Sequence, residues 1–215
     1  MKVIKCPGKD KGCKKCELPE KDLDEIVAAL KAGGLVVFPT DTLYGLGGDP
    51  FKENSVKMVY VAKNRPFDMP LSIAVSNEKM MESVAVLNEP ARKLIRKFMP
   101  GPLTVMLTKK PNIPDILTAG TNTVGIRIPD HPVALRIIDR FGPVTATSAN
   151  LHSHKDPVDA ALPQKDLKGH VQIVVDCGKT KHSGGSTIVD VSDGVVELIR
   201  KGVVPQEEIE NAVRQ

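Results

Sequence analysis

The residues best equipped for chemistry fall in pairs and short runs. Lys63 and Arg65 stand two residues apart, as do Ser148 and Asn150. Thr40, Asp41, Thr42 and Tyr44 crowd the stretch FPTDTLYGLGGDPF, which runs from 38 to 51. Arg127 sits between Ile126 and Ile128, and Thr145 and Thr147 precede the serine. This is a set of cations, hydroxyls and one amide with no obvious nucleophile. The chain carries no Gly-x-Ser-x-Gly elbow, no Walker A lysine motif and no His-Glu-x-x-His pair. Such a set suits chemistry done by positioning and charge neutralisation, as in nucleotidyl or phosphoryl transfer.

Taken singly, each element also has a plain structural explanation. Lys63 and Arg65 read as a solvated helix end, where cations are favoured by the dipole. TSAN (147–150) reads as a loop or a helix N-cap, and Asp41 as a partner for turn amides. An arginine inside an apolar strand faces either solvent or an anion, and both stay open for Arg127. His152, His154 and His182 fall in loops, where surface placement is the default.

The elements that would hold these residues alternate along the chain. Leu23, Ile26, Val27 and Leu30 recur at helical spacing and end in glycines. A buried strand follows at 35–38. A helix begins near Glu53 and breaks before Pro66, and a short strand covers 71–75. An amphipathic helix from Glu89 stops at Pro-Gly-Pro, with strands predicted at 103–107 and from Thr123 to Pro129. A helix over 132–142 leads to a strand that runs into a loop within 144–150, three further strands lie in 171–202, and a helix closes the chain. The predicted fold is α/β, a twisted mixed parallel/antiparallel sheet with helices packed on it. The polar pairs lie where strands end, which is where open α/β sheets bind ligands; the loops would converge on a concave basic cleft.

Composition sets the bounds. A chain of 215 residues with 41% hydrophobic and 26% charged residues fits one soluble globular domain, or two small ones, with a real core. A net charge of +4 permits anionic ligands without demanding them. No apolar run approaches the roughly 18 residues of a membrane span, and no signal peptide opens the chain. Four cysteines in that context are expected to be reduced in a cytosol, and a disulfide is not expected.

Six segments then occur in order: PTDTLYGLGGDPF, KNRPFDMPLSIAVS, PGPLTVML, VGIRIPDHP, VTATSAN and STIVDV with LIRKG. Together, over about residues 20–202, they resemble the YrdC-type threonylcarbamoyl-AMP synthases, in a single-domain form and with an archaeal cast. The resemblance implies a nucleotidyltransferase that joins L-threonine, bicarbonate and ATP into threonylcarbamoyl-AMP and pyrophosphate. The product would pass to a transferase complex that modifies tRNA. By the same resemblance Lys63, Arg65, Ser148 and Asn150 are the catalytic set. Thr42, Arg127 and Ser148 would bind threonine, and Arg65, Thr123, Asn150 and Arg200 the nucleotide. PTDTLYGLGG becomes the wall of an amino-acid pocket, its glycines allowing close approach. ATP is a substrate, magnesium is expected with it, and no protein-bound metal is predicted.

This sequence departs from the family pattern at His154, Val158, Ala74 and Met69, positions near the expected nucleotide contacts. Two other readings compete. One is a non-catalytic RNA-binding protein that uses the same basic cleft. The other is a carbamoyl-transferring module like that of hydrogenase maturation, whose zinc-finger and acylphosphatase segments are missing from this sequence. Residues 1–17 are set apart from a catalytic domain over 18–215. This tail is read as a basic, non-catalytic extension with weak electrostatic contact to tRNA or a partner. Cys6, Cys13 and Cys16 in it form a C-x6-C-x2-C pattern, an incomplete version of a zinc set.

Overall fold

A computed structural model describes residues 1–7 and 16–214. The elements, in chain order, are β1 (Lys2–Lys5), α1 (Glu20–Lys31), β2 (Val36–Phe38), β3 (Gly45–Gly47), α2 (Glu53–Lys63) and β4 (Ile73–Ala74). Then come α3 (Glu78–Glu82), α4 (Glu89–Phe98), β5 (Leu103–Thr108), β6 (Thr123–Arg127), α5 (Pro132–Phe141), β7 (Val144–Thr145) and β8 (Thr147–Ser148). The chain finishes with α6 (Ala161–Asp166), β9 (Ile173–Asp176), β10 (Thr187–Asp190), β11 (Glu197–Arg200) and α7 (Gln206–Arg214).

The strands are mixed in direction, as expected, and divide between two sheets. One has the order β1-β9-β2-β3-β8 and the other β11-β10-β5-β6-β4-β7. In the first sheet β1 and β2 both run parallel to β9, while β3 is antiparallel to β2 and to β8. In the second, β5 is parallel to β10 and antiparallel to β6, and β4 joins β6 in parallel. The expected strand running into a loop within 144–150 is two short strands. Val144 and Thr145 pair with β4 in the second sheet, and Thr147 and Ser148 pair with β3 in the first. Ala146 between them donates its N–H to the Ser72 carbonyl at 2.8 Å, so this segment stitches the two sheets together.

Side-chain alternation sorts the core. In β2, Val37 faces one cluster with Tyr44, Leu46, Val59 and Val105, while Val36 and Phe38 face a second. That second cluster is closed by the buried stripes of α1 (Leu23, Ile26, Val27, Leu30) and α5 (Val133, Ala134, Ile137, Ile138). Both faces of β2 are therefore covered, which is why its sequence reads as an unbroken apolar run.

Two expectations need correction. The glycine-rich stretch contains a strand, β3, where a loop was expected. A Cβ on Gly47 would stand 2.8 Å from the Phe38 ring, and one on Gly45 would stand 3.2 Å from it. These glycines make room for an aromatic ring in the core. The described residues of the N-terminal segment, 1–7 and 16–17, are no appendage either. β1 is the parallel edge strand beside β9, with Lys2 opposite Ile173 and Lys5 opposite Asp176. Ile4, Cys6, Cys16 and Leu18 are all buried in the second core cluster. The strand escaped notice because it is short and flanked by lysines, while its partner lies 171 residues away. Cys6 and Cys177 come into disulfide pairing at the end of β1 and β9 (Cα–Cα 5.1 Å), against the sequence expectation. Cys13 lies outside the described residues.

Candidate active site

A cavity of about 390 Å³ opens where the two sheets meet. Residues of the first sheet (Gly45, Thr147, Ser148) and of the second (Ala74, Thr104, Arg127, Ile188, Arg200) share its wall. The loop after β2 supplies Thr40, Thr42, Leu43 and Tyr44.

Arg127 is the most tightly held group. It is the last residue of β6 and is nine-tenths buried. Its Nε donates to the Gly101 carbonyl at 2.9 Å, Nη1 to Thr42 Oγ1 at 2.5 Å and Nη2 to Asp41 Oδ1 at 2.5 Å. Asp41 Oδ1 also accepts from the Asp130 amide at 3.0 Å, while its Oδ2 is buried without a hydrogen-bond partner. Burial pushes the Arg127 pKa down, and the Asp41 carboxylate opposes that shift. Three of the five guanidinium N–H groups are committed in this way, which leaves two uncommitted on a residue that lines the cavity. The alternatives of solvent and anion resolve toward a buried ion pair that presents an edge to the cavity. Thr40 holds the loop in shape: its Oγ1 accepts from the amides of Thr42 and Leu43 at 3.2 Å and donates to the Leu43 carbonyl at 2.6 Å.

Lys63 and Arg65 part company. Asn64 caps α2 in the left-handed conformation (φ 48°), a turn that asparagine tolerates better than most residues. Arg65 emerges into the cavity wall, steadied by the Met69 and Pro70 carbonyls at 3.2 and 3.1 Å. Lys63 points inward and is 1% exposed. Its Nζ donates to the Ser148 carbonyl, to the Asn150 carbonyl at 2.7 Å and to Asn150 Oδ1 at 3.2 Å. Three acceptors match the three N–H groups of an ammonium. Burial, followed by the Arg65 charge, lowers its pKa to about 7. Lys63 therefore stands behind the wall and fixes the loop that carries the serine and the asparagine.

That loop is braced further. Ser148 Oγ donates to Asn150 Oδ1 at 2.6 Å, and Asn150 Nδ2 donates to the carbonyls of His154 and Lys155, both at 3.0 Å. Ser148 lines the cavity, whereas Asn150 lies beneath it. On the opposite side Arg200, at the end of β11, donates to the Ser186 carbonyl at 2.8 Å, and burial lowers its pKa. Of the predicted residues, Thr42, Arg65, Arg127, Ser148 and Arg200 line one cavity, and Lys63 and Asn150 support it. Thr123 is not brought there. It opens β6, four residues from Arg127 and roughly 13 Å away at the strand rise. Ala74 lines the wall, while His154 points to Asp166 (3.1 Å).

Sequence reasoning missed Ser72, Thr104, Ser186, Asp156 and Lys201, all on the wall. Thr104 had the same signal as Arg127, a polar residue within an apolar strand. Its Oγ1 lies 2.8 Å from Ser186 Oγ, so a hydroxyl on β5 and one just before β10 meet on the cavity wall.

Two mixed sheets joined through one short crossover, with hydroxyls and guanidinium groups at their junction, define a twisted α/β fold with a small-molecule cavity between its sheets. The family model described as "Telomere recombination", which covers Sua5, YciO and YrdC proteins, matches residues 28–202. A putative threonylcarbamoyl-AMP synthase of Methanocaldococcus jannaschii is 40% identical over 201 residues, covering 92% of this chain and 95% of that protein. The threonylcarbamoyl-AMP synthase of Pyrococcus abyssi is 38% identical over 186 residues, and the match covers 86% of this chain but only 55% of that longer protein. The crystal structure of P. abyssi Sua5 complexed with L-threonine superposes with a TM-score of 0.91 at 34% identity, covering 99% of this chain and 61% of that one. The chain belongs to the Sua5/YciO/YrdC family.

Proposed function

We propose that this chain is a threonylcarbamoyl-AMP synthase, which makes threonylcarbamoyl-AMP and pyrophosphate from L-threonine, bicarbonate and ATP. The observation that carries the reading is the Arg127 clamp: a guanidinium held by Gly101, Thr42 and Asp41, with two N–H groups left uncommitted, on the wall of a cavity of small-molecule size. A planar fork of that kind matches a carboxylate with two parallel hydrogen bonds, here the carboxylate of threonine. The likeness to a structure complexed with L-threonine supports the same assignment.

In the reaction, the threonine amine attacks bicarbonate, and a carbamate forms with loss of water. A carbamate oxygen then attacks the α-phosphorus of ATP; the bond to the bridging oxygen breaks, and pyrophosphate leaves. Arg65, Arg200 and Lys201 line the wall against one carboxylate, Asp156, so the cavity is basic enough to hold phosphate charge. With one carboxylate in the wall, magnesium would arrive held mainly by phosphates and water. Ser148 would orient substrate, and Lys63 and Asn150 would act by fixing the loop that presents it. Nothing in the cavity geometry gives Thr123 a nucleotide contact, so Arg200 carries that side in our reading. No helix of the described residues is long and apolar enough to cross a membrane. A cytoplasmic setting, with release of product to a tRNA-modifying transferase, suits these substrates.

The test is pyrophosphate release by the pure protein with ATP and bicarbonate, with L-threonine present, absent or replaced by L-valine. Release should require threonine. Valine should be turned over far more slowly, since it lacks the hydroxyl that Thr42 would pair. Threonine-independent release, or equal turnover of valine, would overturn the assignment.

A further inference from the structure

Three cysteines far apart in sequence converge at the end of the first sheet. Cys6 follows β1, Cys16 lies on the approach to α1, and Cys177 follows β9. All three are buried, and their sulfurs lie within 4.8 Å of one another. No other group of three or more cysteine, histidine or carboxylate side chains with such spacing exists among the described residues.

We infer that, with the Cys6–Cys177 bond reduced, Cys6, Cys16 and Cys177 form a buried thiolate site for a structural zinc ion, although the sequence reading expected no protein-bound metal. Zinc held by thiolates at about 2.3 Å places neighbouring sulfurs roughly 3.8 Å apart in a tetrahedron. Once the Cys6–Cys177 pair is reduced, three sulfurs already within 4.8 Å of one another need only small side-chain movements to reach that geometry. Pairing Cys6 with Cys177 employs two of the sulfurs, whereas an ion employs all three. Soft thiolates select zinc over magnesium or calcium, and zinc has no redox state to lose.

Lys5 directly precedes Cys6 at the end of β1, and a neighbouring cation favours the thiolate form that a metal requires. Cys13, the chain's remaining cysteine, stands at C-x2-C spacing from Cys16, the spacing of a zinc ligand pair, and lies outside the described residues.

The site would do mechanical work for the cavity. The Cys177 amide donates to Tyr44 Oη at 3.1 Å, and Tyr44 Oη donates to the Gly178 carbonyl at 2.6 Å. Tyr44 lines the cavity. An ion that ties Cys177 to Cys6 and Cys16 would clamp β1, β9 and the start of α1 together and hold the tyrosine from behind.

The experiment is elemental analysis of the full-length protein, purified without chelator and under reductant. About one zinc per chain is expected. Cys16→Ser and Cys177→Ser should each lower zinc retention by roughly tenfold or more. Since these variants could fold poorly, the parent protein should also be reduced, stripped with chelator and titrated with Zn²⁺ alone. Stoichiometric uptake with a rise in Tm is expected. A folded, reduced protein that takes up no zinc would overturn the inference. So would iron in place of zinc, or a metal-free preparation whose intact mass shows a Cys6–Cys177 disulfide.

Discussion

His131 offers a direct measure of how the corner beneath Arg127 is built. It caps α5, with Nδ1 accepting from the Val133 amide at 3.2 Å. Nδ1 must then be unprotonated, so the neutral ring carries its proton on Nε2, which is buried without a hydrogen-bond partner. Burial, opposed by the charges of Asp41 and Asp130, lowers its pKa from 6.5 to about 4. Folded His131 thus binds a proton less readily than the unfolded chain does. Between those two values the unfolded state takes up more protons, and stability falls as pH falls. By linkage the loss due to this residue alone is ~2 kcal/mol by pH 5 and ~3 kcal/mol by pH 4. Asparagine at the same position keeps an oxygen to cap the helix and cannot titrate. Urea unfolding of the parent and His131→Asn near pH 7.5 and near pH 5 gives four stabilities. The difference of differences cancels the other titrating groups. His131→Asn should lose ~2 kcal/mol less than the parent on acidification. Parallel losses in the two proteins would refute the burial argument and the tautomer drawn from it.

Two further outcomes test the supports of the site. Lys63→Met removes the ammonium that gathers the Ser148 carbonyl and both oxygens of Asn150, so it should cost about 2 kcal/mol or more of unfolding free energy. It should also slow threonine-dependent pyrophosphate release more than about tenfold; full activity at unchanged Tm would remove Lys63 from the loop's support. Ile4→Ala probes whether β1 belongs to the cooperative fold: a 4% exposed isoleucine on an edge strand should cost about 2 kcal/mol in denaturant unfolding, whereas a chain with an independent tail would show no change.

What could be read from the sequence depended on the range of the interaction that decides each feature. The stripe Leu23, Ile26, Val27 and Leu30 is a local pattern, and all four residues are buried as predicted. The resemblance named Thr42, Arg65, Arg127, Ser148 and Arg200, which share one cavity wall, and their separate strand ends explain why. The inward turn of Lys63 was not legible, because it depends on Asn64 taking a left-handed conformation and on a loop some 85 residues later offering three acceptors. Likewise β3 looks like a loop until Phe38 is laid across Gly45 and Gly47. Asp41 read as a turn residue until Arg127, 86 positions on, was set against it. The N-terminal segment is the extreme case. Its composition is that of a solvated tail, and only pairing with β9 gives Ile4 and Cys6 a reason to be apolar. Lysines at 2 and 5 on either side of a buried Ile4 are what an edge strand needs: charged residues guard the open edge while one apolar face is spent on the core. The same residues that disguise the strand in sequence protect it in the fold.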